Sequence, residues 1–284
     1  MTKTALIIEG GALRTFFSMG VIDYLLEKQL QFDYVCGVSA GSMIGLNYIA
    51  QQKKRSMHVD LRFLHDSRYM GIRPLLHYGE FFNLDFLCGP IVNQEYPLNF
   101  QQIQQSTQRL EAVVTNCFTG RSEFLSETGY DYDLHAVKAS SSYPLASKIK
   151  WLHGQPYLDG SISNSLPYQR ALDQGYDKVV VVCTRDAGYQ MPMVNLTSLR
   201  LMRRYYHKYP NLVTAYQKRP QSYNQQFQKM LQLQTTGKIF VIQPVQPLEL
   251  ANTETNLAYL YEVYQRGWQL CQTVWIQLRS FLDS

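Results

Sequence analysis

The sequence predicts an α/β fold in which helices flank a mainly parallel central sheet and a helical region extends the C-terminal end. Three observations favour this class. Short apolar runs alternate with helical patterns, as buried parallel strands do; they cover residues 5–8, 32–36, 110–117, 179–183 and 239–242. The first two runs lead into glycine-rich turns, each followed by a helical pattern. The 284 residues, 45% of them hydrophobic, suffice for one large core.

The first strand is followed by a glycine turn in the segment EGGALRT, residues 9–15. Gly10 and Gly11 present bare backbone N–H groups at the start of a helix, where such groups can hold an oxyanion. A dinucleotide-binding turn is the alternative. That motif expects GxGxxG and an acidic residue near the end of the next strand, whereas this turn has adjacent glycines and Ala12 in place of a third.

The second strand leads into the frame GVSAG, which places Ser39 between Gly37 and Gly41. In a nucleophile elbow, glycines at these positions leave room where a strand turns sharply into a helix, so that the serine hydroxyl is exposed. The following helix N-terminus favours a developing negative charge. Taken alone, the frame is also compatible with an ordinary small-residue turn.

A third motif is Asp159 followed by Gly160, in the segment YLDGSIS. By itself, an aspartate before glycine indicates an Asx turn or a cap. Together with the two glycine turns, it completes a set of three motifs.

The order of the set, a glycine loop, then GxSxG, then DG 120 residues after the serine, resembles the patatin-like phospholipases, a family of serine lipid acyl hydrolases. The resemblance covers most of residues 5–185 and includes ASSSYPL at 139–145 and ALDQGYDKVVVVC at 171–183. It implies a three-layer α/β/α fold, a lipid or acyl ester substrate and no cofactor. It further implies a dyad in which Ser39 is the nucleophile and Asp159 the general base.

The resemblance also assigns the oxyanion hole to the loop with Gly10, Gly11 and Ala12, where Arg14 matches the family's basic residue. Ala12 and Thr15 stand where the family usually has a third and a fourth glycine, and Ser161 stands where DG is often followed by Gly or Ala. Because Thr15 adds a β-branched side chain close to the expected acyl carbonyl, we expect a narrower range of substrates.

Two other functions stay open. One is a hydrolase with a Ser-His-Asp triad on an α/β-hydrolase fold, which normally builds several strands before its nucleophile. None of the six histidines sits in a motif that links it to Ser39 or Asp159. The other is a catalytically silent binding or scaffold protein that keeps the fold.

Composition narrows the partners and the location. The five cysteines lie far apart without metal-ligand spacing, so we expect reduced core thiols and no metal site. The basic, tyrosine-rich segment 200–219 is either solvated helix surface or a contact for anionic lipid head groups, and nothing accompanies it that reads nucleic acid. The N-terminal apolar run is too short for a signal peptide, and no run is long enough to span a membrane. We expect a cytoplasmic protein, peripheral at the membrane if that segment binds lipid.

Two regions are predicted, a catalytic domain over residues 1–190 and a mostly helical region over residues 191–284 with one strand, packed on the same domain. Residues 196–233 have a polar helical pattern that we expect to be interrupted at Pro210 and Pro220. The final helix is expected to start at Asn252 or Thr253 and to bury one apolar face.

Overall fold

A mixed sheet of eight strands forms the centre of the computed structural model, which describes residues 2–127, 133–251 and 254–284. The strands are β1 (Thr4–Ile8), β2 (Tyr34–Val38), β3 (Arg109–Asn116), β4 (Ser122–Glu127), β5 (Lys150–Leu152), β6 (Gln155–Asp159), β7 (Lys178–Val182) and β8 (Ile239–Ile242). Their order across the sheet is β5-β6-β3-β2-β1-β7-β8, with β4 also paired to β3. The central strands β3, β2, β1, β7 and β8 are parallel, whereas β4, β5 and β6 are antiparallel additions.

All five predicted strands are present, and the predicted fold class is confirmed. The main shift in bounds is at β2, which begins at Tyr34 because Tyr34 is the first residue in register with β1. The three antiparallel strands were not predicted from sequence. Most β4 and β5 side chains are only half-buried, so these strands lack the continuous apolar run that marks a strand covered on both faces.

Helices within the described residues surround the sheet. They are α1 (Phe16–Glu27), α2 (Ala40–Ile49), α3 (Arg55–Phe63), α4 (Ile72–Tyr78), α5 (Leu84–Phe86), α6 (Phe100–Gln105), α7 (His135–Ser140), α8 (Tyr168–Asp173), α9 (Leu196–Tyr205), α10 (Pro210–Thr235), α11 (Leu257–Thr273) and α12 (Trp275–Asp283). Short 3₁₀ turns occupy Ala12–Thr15 and Gly160–Ile162, and a π-helical segment covers Leu87–Glu95.

Alternate side chains of each central strand pack into two separate cores, one on each face of the sheet. In β1, Leu6 and Ile8 join the core beneath α1, α2 and α11, whereas Ala5 and Ile7 join the core beneath α8 and α10. Because successive strand residues point to opposite faces, a strand buried on both faces must be apolar throughout. This gives three layers, helices over sheet over helices.

The C-terminal region is continuous with this core. Strand β8 extends the sheet beside β7. Helix α11 crosses α1 at two glycines, Gly20 of α1, which faces α11, and Gly267 of α11, which faces α1. A Cβ on Gly20 would come within 2.0 Å of the Tyr264 carbonyl oxygen, and one on Gly267 within 2.0 Å of the Phe17 carbonyl oxygen. The two helix backbones therefore touch directly. The division at residue 190 stays a prediction.

Two expectations for this region need correction. The polar helical stretch does break before Pro210, where α10 begins, but α10 continues through Pro220. Pro220 is buried where α10 packs against the rest of the protein. This packing outweighs the local cost of proline inside a helix, about 3 kcal/mol. Asn252 and Thr253 lie outside the described residues. The predicted final helix is divided into α11, which begins at Leu257, and α12, which begins at Trp275. The cap of α11 is Asn256, whose side chain accepts a hydrogen bond from the Tyr259 amide.

Candidate active site

Ser39 stands at the sharp turn between β2 and α2. Its backbone has φ 54° and ψ −131°, in the left-handed half of the conformational map that side chains rarely adopt. A Cβ on Gly37 would lie 2.4 Å from Ser42 Cα, and one on Gly41 would lie 2.4 Å from the Ile8 carbonyl oxygen. Only glycine fits at either place, so the turn has the geometry of a nucleophile elbow.

Asp159 is the last residue of β6 and lies beside β3, in register with Val114. It is 1% exposed. Its Oδ1 accepts a hydrogen bond of 2.8 Å from the Ser161 amide. Burial raises the pKa of this carboxyl, and the Ser39 side chain is the largest of the influences that oppose the rise. The structure therefore brings Ser39 and Asp159 together, and the aspartate is a turn cap and a serine partner at once.

Gly160 lets the chain at the end of β6 lie close to the neighbouring strand β3. A Cβ there would come within 2.2 Å of the Val113 carbonyl oxygen, on the neighbouring strand β3. Any side chain at this position would push Asp159 away from Ser39.

The glycine loop after β1 lies directly against the serine turn. A Cβ on Gly10 would be 2.6 Å from the Val38 carbonyl oxygen and 2.8 Å from Ser39 Cβ. Neither the Gly11 nor the Ala12 amide donates a hydrogen bond to another described residue. Ala12 has φ 49°, a left-handed conformation that glycine adopts more easily. This loop therefore holds two uncommitted N–H groups beside Ser39.

A family model described as patatin-like phospholipase matches residues 6–172, more than half of the chain. The chain belongs to the patatin-like phospholipase family. A second model, described as a domain of unknown function (DUF6363), matches residues 209–283.

Two individual proteins are similar to this patatin-like chain. The uncharacterized protein YjjU of Escherichia coli (strain K12) is 27% identical over 188 residues, which are 64% of this chain and 52% of that protein. This chain thus matches about half the length of that relative. Among solved structures, VipD from Legionella pneumophila has a TM-score of 0.48 and 12% identity, and the match covers 100% of this chain and 67% of VipD.

Glu9 anchors the glycine loop of this patatin-like protein, a role that the sequence did not predict. Its buried carboxylate accepts hydrogen bonds from the Thr184 amide at 2.6 Å and from the Tyr223 hydroxyl at 2.8 Å. Burial raises its pKa, and these hydrogen bonds oppose the rise. Since Thr184 follows β7 and Tyr223 belongs to α10, Glu9 ties the loop to both. The anchor lies one residue before the two glycines.

Arg14 and Thr15, at the end of the glycine loop, both face the cavity at Ser39. Arg14 lines the cavity at Ser39, and its Nη1 donates to the Leu250 carbonyl oxygen at 3.2 Å. Burial lowers the pKa of Arg14, and the nearby positive charge of Arg185 lowers it further. Thr15 is buried and also lines the cavity, with its hydroxyl donating to the Ala12 carbonyl oxygen at 2.6 Å.

Arg219 is the second residue whose role the sequence did not predict. Sequence grouped it with the exposed basic segment, but its Nε donates to the Ser161 carbonyl oxygen at 2.7 Å and its Nη1 to the Tyr143 hydroxyl at 3.0 Å. Its positive charge lowers the pKa of Asp159. Arg219 therefore helps to keep the Asp159 carboxylate ionised.

These residues open onto one cavity of about 770 Å³. Ser39, Asp159 and the glycine loop lie on its wall, together with part of the segment 139–145 that the family resemblance pointed to. All six histidines belong to the described residues, and each is exposed and absent from the cavity wall. Most of the remaining wall is apolar, from Met43 and Leu46 of α2 to Val92 and Leu98.

Neither a metal cluster nor a membrane span is found in the parts of the chain that the structure describes. No group of three or more His, Cys, Asp or Glu side chains there is arranged to hold a metal ion. No helix among those residues is long and apolar enough to cross a bilayer. All five cysteines are buried, and each is a free thiol that forms no disulfide bond.

Proposed function

We propose that this protein is a serine-dependent lipid acyl ester hydrolase in which Ser39 is the nucleophile and Asp159 the general base. The observation that carries the proposal is that Ser39, at the elbow, and the buried Asp159 carboxylate lie together on the wall of one largely apolar cavity, where the Ser39 side chain lowers the pKa of that carboxyl. Ester hydrolysis needs a nucleophile, a base within hydrogen-bond reach and donors for an oxyanion, and this wall offers candidates for all three.

In the proposed first half-reaction, Ser39 Oγ attacks the acyl carbonyl carbon while its proton passes to Asp159. The carbonyl oxygen becomes an oxyanion, which the amides of Gly11 and Ala12 stabilise with the turn at Gly10. The tetrahedral intermediate collapses, the ester C–O bond breaks, and the leaving alcohol takes the proton from Asp159. The product is an acyl ester of Ser39.

In the second half-reaction, water attacks the acyl carbon and gives one proton to Asp159. Collapse releases the fatty acid and returns that proton to Ser39 Oγ. A carboxylate with an ordinary pKa of about 3.9 is a weak base at neutral pH. Burial of Asp159 raises its pKa and so strengthens it as a base.

A Ser-His-Asp triad finds no support in the geometry, because the histidines are exposed and none lines the cavity. A silent scaffold would need neither an elbow serine nor a buried carboxylate on the same cavity wall. The deciding experiment offers the purified protein a panel of phospholipids, lysophospholipids, glycerides and simple acyl esters, with released fatty acid as the readout. Ser39→Ala is the control. Release that depends on Ser39 supports the proposal, and no release from any ester refutes it.

A labelling experiment tests the nucleophile separately. A fluorophosphonate should label Ser39, since an elbow serine with a base and oxyanion donors reacts where other serines do not. Peptide mapping locates the label. If Ser39 stays unlabelled under conditions that label a known serine hydrolase, the silent scaffold is favoured.

We further propose that the cavity mouth docks on anionic lipid surfaces. Met193 lies on the cavity wall and is 75% exposed, and Leu196, three residues on, is 69% exposed. The exposed Arg200, Arg203 and Arg204 follow on α9. Apolar side chains beside arginines suit the interface of a negatively charged membrane.

Vesicle co-sedimentation tests the docking surface. We expect binding to phosphatidylglycerol vesicles and weaker binding to phosphatidylcholine vesicles, with a further loss in Leu196→Ser. Ile276→Ser is a matched control, because Ile276 is 79% exposed on α12, away from the cavity wall. Equal loss in both variants, or no preference for the anionic lipid, would refute docking through this surface.

A further inference from the structure

The cavity follows one face of α2 away from Ser39. Ala40, Met43 and Asn47 lie on its wall at helical spacing, and no later residue of α2 does. An α-helix rises 1.5 Å per residue, so the eight residues from Ser39 to Asn47 span roughly 12 Å. Aliphatic side chains such as Met43, Leu46 and Val92 line the cavity along this limb, and an acyl group attached to Ser39 would extend into it.

The far end of the limb is polar. The Asn47 side-chain oxygen accepts a hydrogen bond of 2.8 Å from Nη1 of Arg55, a buried arginine that also donates to the Tyr96 carbonyl oxygen. Asp60 lines the same end and accepts a hydrogen bond of 2.6 Å from the Tyr69 hydroxyl. Arg55 and Asp60 attract each other electrostatically. Charged groups therefore stand where a long acyl chain would place its terminal methyl groups.

We infer that Asn47, Arg55 and Asp60 end the acyl-chain site and limit the substrate to medium-length acyl groups. The inference rests on the proposed function. Three bonds of an extended chain cover about 3.6 Å, or about 1.2 Å per bond, so the 12 Å limb holds roughly ten carbons. Each methylene up to that length moves from water into an apolar wall. Further methylenes would press on a guanidinium and a carboxylate and displace their hydrogen bonds, which is unfavourable.

The first experiment measures kcat/KM for esters with the same alcohol and acyl groups of 4 to 18 carbons, all below their critical micelle concentrations. Burial of one methylene is worth up to about fourfold. We expect kcat/KM to rise from butanoyl to a maximum near decanoyl and to be at least tenfold lower for palmitoyl. A value that keeps rising through palmitoyl overturns the inference but leaves the proposed function standing.

The second experiment shortens and lengthens the limb. Met43 lies four residues from Ser39, so Met43→Trp should move the maximum to about six carbons or fewer. Ile276→Trp adds the same side chain on α12, outside the cavity wall, and should leave the maximum in place. The double variant Asn47→Leu/Arg55→Met replaces both partners of one hydrogen bond, so that neither is left unpaired by loss of the other. It should raise the ratio of palmitoyl to decanoyl turnover at least tenfold. An unchanged maximum in Met43→Trp overturns the inference.

A binding assay separates this inference from the proposed chemistry. In Ser39→Ala, which cannot form the acyl-enzyme, fatty acids should displace the fluorescent probe anilinonaphthalene sulfonate with highest affinity near decanoate. If no ester is hydrolysed but this preference is found, the acyl-chain site stands and the proposed function fails. If palmitate binds as tightly as decanoate, the length limit is wrong.

Discussion

Replacing Asp159 with asparagine tests the proposed dyad most directly. The asparagine side-chain oxygen can still accept the Ser161 amide hydrogen bond of 2.8 Å, so the end of β6 keeps its shape. The amide cannot take the proton of Ser39. Because Asp159 is 1% exposed, bulk water cannot reach its position and act as the base in its place.

The size of the effect follows from what a positioned base contributes. General-base catalysis is worth about 10²–10⁴-fold, and here one carboxylate is asked to act in both half-reactions. We therefore expect Asp159→Asn to retain less than about a thousandth of wild-type kcat/KM. Stability should not fall, since the substitution removes a carboxylate whose ionisation burial opposes.

The assay is fatty acid release, with Ser39→Ala as the background and thermal unfolding as the test of folding. The same assay run from acidic to neutral pH should show wild-type kcat/KM falling as pH drops through the Asp159 pKa, which burial raises above its ordinary range. The six His→Ala variants, made one at a time, should each retain at least about a tenth of wild-type turnover. A folded His→Ala variant as inactive as Ser39→Ala would refute the dyad.

Three further substitutions test the surroundings of the site. Arg219→Leu should raise the Asp159 pKa and move the acid limb of the kcat/KM profile to higher pH, because a positive charge that favours the carboxylate is lost; an unmoved limb refutes this. Gly10→Ala places a Cβ 2.6 Å from the Val38 carbonyl oxygen and should lower turnover about a hundredfold, whereas Gly89→Ala, which meets nothing within 4 Å, should be neutral. Asp23 has its pKa raised by burial to about 6, so the wild type loses stability as pH rises from about 4 to 6, by up to about 3 kcal/mol. Asp23→Asn should therefore raise Tm above pH 6 and not at pH 4, and an equal gain at both pH values would contradict this assignment.

The sequence predicted the features that depend on neighbouring residues. The central strands are long apolar runs because both faces of the sheet are covered. The serine turn was predictable because its geometry excludes every residue but glycine at Gly37 and Gly41.

Local patterns failed where tertiary packing decides. Pro220 lies inside α10 because packing outweighs its local cost. Arg219, in the same helix, donates to the Ser161 carbonyl oxygen, unlike its exposed basic neighbours, and no spacing of charges indicates which arginine will turn inward. Strands β4 and β5 lack a continuous apolar run, since most of their side chains are only half-buried or exposed.

The sequence by itself determined the five parallel strands, the glycine turns and the types of residue in the site. Only the tertiary structure decided which of them meet. Asp159 reaches Ser39 because β6 pairs antiparallel with β3, which in turn lies beside β2, the strand that leads into the serine turn. Glu9 reaches Tyr223, 214 residues away, because α10 packs on the face of the sheet that includes β1 and a buried carboxylate must find donors. Such contacts depend on strand order and on how buried polar groups are satisfied, and neither is encoded within a short window of sequence.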